Sequence, residues 1–212
     1  MRTIQRIVRR ADLPIEYSKG FNPHMAISIA QPLSVGMYSH GEYMDLGLDK
    51  EINDFYIKDK LNENAPPGVK ILEVCKVKPE EGVKIPQAMA LIEAAKYKIK
   101  IRYEGTASLN EEIKNLLLLK EWTILKKSKS GEKIVDIKPF IKEFNFNIVE
   151  NTLIIDTVVA CGSKENLSAD LLSSFIKNNT SNSDQEAFVD IMREEMYVYR
   201  NNKLMPLYKY VK

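Results

Sequence analysis

The sequence predicts an α+β chain made of two halves, and three observations carry that reading. Apolar residues recur at helical spacing in some segments and alternate in others. Both kinds of segment occur in each half rather than being segregated. A stretch with Pro79, Gly82 and Pro86, "KPEEGVKIPQAMA" from 78 to 90, interrupts the pattern between them. At 212 residues, 44% hydrophobic and 28% charged, the chain has a globular composition with room for one large domain or two small ones.

Residues 1–11 place Met1, Ile4, Ile7, Val8 and Ala11 on one helical face and Arg2, Arg6, Arg9 and Arg10 towards the other. Leu13-Pro14 ends that helix, because proline disfavours helical geometry in its predecessor. Residues 14–18 look extended. "MAISIA" (25–30) and "GEYMDLGL" (41–48) read as strands. Asn53 and Asp54 start a short helix to about 62, which Pro66-Pro67-Gly68 breaks. "VKILEVCKV" (69–77) reads as a strand. The order helix, strand, strand, helix, strand becomes βαββαβ if one strand is added in front, so the first half is expected to be ferredoxin-like and to lack its leading strand.

The second half opens with "KYKIKIRY" (96–103), where Tyr97, Ile99, Ile101 and Tyr103 face one side and Lys96, Lys98, Lys100 and Arg102 the other. A helix over 109–119 follows, then a hairpin over 122–137 with Ser130-Gly131 near its tip. A strand over 151–160, a helix over 168–177 with Ser168 as N-cap, and a terminal hairpin turning at Asn201-Asn202 complete it. The expected organisation is a ferredoxin-like domain over 1–80, incomplete at its start, a linker over 81–95, and a second ferredoxin-like domain over 96–212.

The net charge of +2 gives no global field for nucleic acid, so any basic surface must be local. No apolar run approaches the roughly 18 residues that cross a bilayer. Cys75 and Cys161 are distant and few, which suits reduced thiols in a cytoplasmic protein. The chain contains no P-loop, dinucleotide fingerprint, HExxH or clustered CxxC. Two cysteines 86 positions apart cannot by themselves hold an iron–sulfur cluster. His24, His40, Cys75 and Cys161 are zinc-ligand types, but their spacing supports no site, and no metal is expected.

"EYSKGFNPHMAIS" (16–28) is the richest short stretch. Gly20, Asn22 and Pro23 are turn chemistry, but a turn has no need of Lys19, Phe21 and His24 as well. That surplus makes 19–24 a candidate binding loop, together with Glu42 and Tyr43. His24, or His40, could act with Glu42 as an acid–base pair if the fold brings them together. The plainer alternative is a turn with exposed polar groups. Basic residues collect in three places: Arg2, Arg6, Arg9 and Arg10; Lys98, Lys100 and Arg102 beside Lys96; and the hairpin Lys126, Lys127, Lys129 and Lys133. An open sheet face with lysines and tyrosines is one way that RNA-binding modules work. A solvated strand face and a polar hairpin tip read as well.

Residues 9–46, "RRADLPIEYSKGFNPHMAISIAQPLSVGMYSHGEYMDL", resemble the signature of the radical SAM-linked protein family, a bacterial domain of unknown function. The resemblance rests on Arg9, Arg10, Leu13, Pro14, Tyr17, Ser18, Gly20, Phe21, Asn22, Pro23, His24, Pro32, Leu33, Gly36, Gly41, Glu42 and Tyr43. "KKSKSGEKIVDIKPFI" (126–141) is similar to the family's second half. Met25 departs from the pattern, where the family commonly has a second proline. Family members usually begin earlier, with a strand and a Phe-x-Ser-His-Leu-Asp segment in front of the first helix.

The resemblance implies association with a radical SAM protein carrying a cobalamin-binding domain, in an RNA- or ribosome-related setting. The iron–sulfur cluster, S-adenosylmethionine and cobalamin would then sit on that partner, with no cofactor in this chain. The leading expectation is a non-catalytic substrate-binding or adaptor partner, with RNA as the substrate class. The alternatives are a stand-alone acid–base enzyme acting on RNA or nucleotides, and a protein–protein adaptor alone. A homodimer through an exposed sheet edge of the first half is also expected.

Overall fold

The computed structural model describes residues 1–77, 86–128 and 131–210, with 126–128 described by their backbone alone. The first elements are α1 (Arg2–Arg10), β1 (Ile27–Ile29), β2 (Tyr38–Ser39), β3 (Met44–Leu46), α2 (Asp54–Glu63) and α3 (Ala88–Leu91). Then come β4 (Ala94–Arg102), α4 (Leu109–Leu118), β5 (Thr123–Ser128), β6 (Gly131–Asp136), β7 (Ile141–Val149) and β8 (Thr152–Ala160). The chain ends with α5 (Ala169–Asn178), β9 (Asp190–Arg200), β10 (Lys203–Pro206) and α6 (Leu207–Tyr210). The class is mixed α+β. Among the described residues no helix is long and apolar enough to cross a membrane.

The chain forms two compact units whose segments interleave. The first holds Met1–Pro32, Glu42–Leu91 and the chain from Leu207 onward; the second holds Leu33–Gly41 and Ile92–Pro206. Consecutive spans of 1–80 and 96–212 include neither exchange. The expected linker contains the short helix α3 and the start of β4, while 78–85 lies outside the described residues.

In the first unit, α1 buries Ile7 and Val8. It stops at Ala11, and Asp12 follows at φ 51, a left-handed helix exit. β1 and β3 pair antiparallel, Ile27 with Leu46 and Ile29 with Met44. Residues 15–17 lie alongside through bridges of Ile15 to Leu48 and Tyr17 to Met25. Asn53 caps α2, its side chain accepting from the N–H groups of Phe55 and Tyr56. Ile7, Val8, Leu13, Ile15, Ile57 and Leu61 form the core, against which Ile27, Leu46, Val69, Ile71 and Val74 pack.

Residues 69–77 are not the expected strand. A strand needs a neighbour for its backbone groups, and this segment finds side chains of α2 instead. The Asn62 amide donates to the Ile71 carbonyl at 3.0 Å and accepts from the Ile71 N–H at 2.8 Å. The N–H of Lys76 donates to Asp54 at 3.3 Å. Val69, Ile71 and Val74 thus pack on the core without a ladder.

In the second unit the main sheet has the order β10-β9-β4-β8-β7, with β2 parallel to β9. Antiparallel pairing joins β4 to both β8 and β9, and β7 to β8. Tyr97, Ile99, Ile101 and Tyr103 are buried on one side, as their alternation predicts. Trp122 stacks on Phe175 at 4.9 Å and donates its indole N–H to the Leu116 carbonyl at 2.8 Å. Ser168 caps α5 by accepting from the N–H of Leu171. Asn201 and Asn202 both have positive φ, which suits the two-residue turn between β9 and β10. β5 and β6 form a separate hairpin, Ser128 opposite Gly131; its tip lies outside the described residues.

Candidate binding surfaces

The loop after Tyr17 is closed by its own backbone. The Ser18 N–H donates to the His24 carbonyl at 2.8 Å, and the His24 N–H donates to Ser18 Oγ at 2.9 Å. Gly20 sits at φ 143 with nothing near its missing Cβ, so its glycine serves conformation rather than space. Lys19, Phe21, Asn22, Pro23 and His24 are all exposed, and Phe21 reaches 108% relative exposure. Burying an aromatic ring is the normal outcome. This ring is held out on a short, pinned loop.

His24 and Glu42 are not brought together. The N–H of Gly47 bonds the carbonyl of Ala26, and the N–H of Ala30 bonds the carbonyl of Tyr43. The ladder between Ala26 and Ala30 spans about 13 Å. His24 lies beyond one end of it and Glu42 beyond the other, outside hydrogen-bond reach.

His40 belongs to the second unit, where 38–41 docks on β9. The His40 N–H donates to the Arg193 carbonyl, as does Ser39 Oγ, both at 3.0 Å. A Cβ on Gly41 would stand 2.8 Å from the Glu194 carbonyl oxygen, so only glycine fits this approach. The His40 side chain is exposed. Among the described residues no three His, Cys, Asp or Glu side chains gather as a metal-holding group, and neither cysteine forms a disulfide.

The three basic strips differ in what surrounds them. On α1, Arg2, Arg6, Arg9 and Arg10 fall within an arc of about 100°, opposite the buried Ile7 and Val8. All four are exposed, and no ion pair among the described residues involves them. The lysines of β4 are engaged. Lys96 pairs with Glu194 at 2.9 Å, Lys98 with Asp156 at 2.9 Å and Glu194 at 3.8 Å, and Lys100 with Asp190 at 3.1 Å. Each ammonium has its pKa raised, first by the hydrogen bond to its carboxylate. The same Asp190 raises the Tyr38 phenol by hydrogen bonding.

Arg102 shares that face without an ion pair among the described residues. In the hairpin, Lys127 stands opposite Glu132 and Lys126 opposite Lys133, while Lys129 lies outside the described residues. Asp156, Asp190 and Glu194 escape sequence reasoning because they come from β8 and β9. Only the strand register brings them to the lysines.

The fold and these surfaces define a mixed α+β protein with an exposed aromatic loop, an exposed arginine face and a sheet face of ion-paired lysines. Over residues 1–169 the chain matches the family described as uncharacterized protein conserved in bacteria, DUF2344, and it belongs to that family. No curated protein matches it.

Proposed function

We propose that this protein is a non-catalytic substrate-binding partner of a radical SAM enzyme and that RNA is what it binds. The radical SAM association rests on the resemblance of residues 9–46. On this reading the partner carries the cluster, S-adenosylmethionine and cobalamin, and the present chain supplies recognition in the cytoplasm. We also read the second unit as ferredoxin-like, since β4-α4-β7-β8-α5-β9 with the order β9-β4-β8-β7 follows the split βαβ arrangement.

The observation that carries the binding role is the arginine face of α1. Four exposed guanidiniums without carboxylate partners among the described residues are open to phosphates, and arginine matches phosphate geometry with paired donors. Phe21, presented to solvent, supplies a surface on which a base can stack. The ion-paired lysines of β4 take a lesser part. The separation of His24 from Glu42 weighs against the acid–base enzyme.

The test is a titration of the full chain with fragmented cellular RNA at several salt concentrations. Affinity should fall with salt as counterions are released, and Arg6→Glu with Arg9→Glu should weaken it. No binding at low salt by the folded protein would leave the protein–protein adaptor as the better reading.

A further inference from the structure

The main sheet of the second unit is covered at one end and open at the other. On the far side of β9 from β4 lie β2 and β10. At the opposite end β7 has β8 on one side and no strand among the described residues on the other. Open edges are hazards that folded proteins usually blunt with charge, proline or a bulge. The one irregularity of β7 lies between Ile141 and Glu143. From residue 143 to 149 the strand is regular, and from 144 onward it carries no charge and no proline.

The free groups follow from the register. Val149 and Thr152 close the hairpin around Glu150 and Asn151, so they exchange hydrogen bonds, and the exchange recurs at every second residue. Asn145 and Asn147 therefore bond β8. The N–H and C=O groups of Phe144, Phe146 and Ile148 point outward. Their side chains are only half-buried, whereas Leu153 and Ile155, opposite them on β8, have no exposure. Beside the start of the strand is a cavity of about 230 Å³ lined by Leu117, Trp122, Ile141 and Phe144 and also by Lys138, Lys142 and Glu143. The apolar layer under the sheet thus stops one strand short.

We propose that β7 of a second copy of this chain supplies the missing neighbour, antiparallel about a two-fold axis at Phe146. Three features select this occupant and register. Only even-numbered residues have outward groups, so even must face even. The irregularity confines the ladder to 143–149, whose centre is Phe146. In that register Phe144 faces the copy's Ile148 and Asn145 faces its Asn147, and just past each end of the ladder Lys142 of one copy comes beside Glu150 of the other. Lys142 and Glu150 are both exposed and of opposite charge, and symmetry makes the contact twice. Lys142 reaches Glu165 at 3.8 Å and donates to the Pro139 carbonyl at 3.4 Å, both long contacts that a closer carboxylate would replace. The pairing forms about six backbone hydrogen bonds and brings Ile148 of each copy beside Phe144 at the cavity of the other.

Sedimentation of the full chain from low concentration to roughly 100 μM tests this, since an interface of one strand pair is small and its dimer weak. The mass should double with concentration. Phe146→Pro removes an outward N–H and leaves the β8 ladder intact, so it should give a monomer with unchanged circular dichroism. Lys142→Glu and Glu150→Lys should each raise the dissociation constant about tenfold, because two attractions become two repulsions. The double variant should restore it. If Phe146→Pro fails to fold, the charge series decides alone. A chain that stays monomeric throughout, or a dimer indifferent to the charge reversals and their combination, would overturn the proposal.

Discussion

Lys98 and Asp156 are register partners across β4 and β8, and their side chains meet at 2.9 Å. Glu194 lies 3.8 Å from the same ammonium. Reversing Lys98 to glutamate places a carboxylate against two others. Like charges directly opposite in a sheet destabilise by up to about 1 kcal/mol. For a chain of this size that lowers the melting temperature by about 2–4 °C. Thermal unfolding of Lys98→Glu checks this. An unchanged melting temperature would show that the pair is indifferent to charge.

The same arrangement ranks the basic strips. Arg6→Glu with Arg9→Glu should reduce RNA affinity more than Lys98→Glu with Lys100→Glu, and should also flatten the salt dependence. Titrations of both double variants at two salt concentrations compare them. An equal loss from the two would mean that the β4 lysines leave their carboxylates on binding.

Phe21→Ala should leave stability unchanged, since the ring is fully exposed. If a base stacks on it, affinity should fall by the equivalent of about 1–3 kcal/mol with the salt slope preserved. Calorimetric unfolding and RNA titration together test the two halves of this expectation. A destabilised variant would assign the ring a packing role instead.

Gly41→Ala should cost about 1–3 kcal/mol, because the added carbon has a carbonyl oxygen 2.8 Å away and backbone must shift to admit it. Denaturant unfolding measures the loss, and hydrogen exchange should show the 38–41 segment loosened from β9. A neutral outcome would mean that the segment docks without help from this close approach.

Glu112 gives an acid-side prediction. Its carboxylate accepts from Ser108 Oγ and from the Ser181 N–H, both at 2.7 Å, and these bonds lower its pKa below the ordinary 4.5. A depressed carboxylate stabilises the fold above the unfolded value, and the stabilisation disappears as pH falls through the folded value. Wild type should therefore lose more stability than Glu112→Gln between about pH 5 and pH 3, by less than about 1 kcal/mol because the group is partly solvated. Parallel unfolding curves across that range would contradict it.

What the sequence made legible was local. The alternation of Tyr97, Ile99, Ile101 and Tyr103 named a buried strand face because period two admits no other regular structure. Asn53 and Ser168 announced helix starts, and Asn201-Asn202 a turn, because those side chains satisfy or relax specific backbone groups. Residues 69–77 misled because an apolar, β-branched run reports burial and is silent about a ladder partner. The ion pairs of β4 were hidden for a related reason: Asp156 and Asp190 become neighbours of Lys98 and Lys100 only when distant strands take their register. At the candidate loop, residue types named the surplus side chains. The separation of His24 from Glu42 needed the β1–β3 pairing.

The parallel pairing of Tyr38 with Met192 has a consequence during synthesis. A ribosome adding about 5–20 residues per second needs roughly 8–30 s to pass from one to the other. For that interval the 33–41 segment exists without the strand it will join. Release of β9 is therefore the event that lets it dock, and the second unit cannot complete itself from the nascent chain until that strand has emerged.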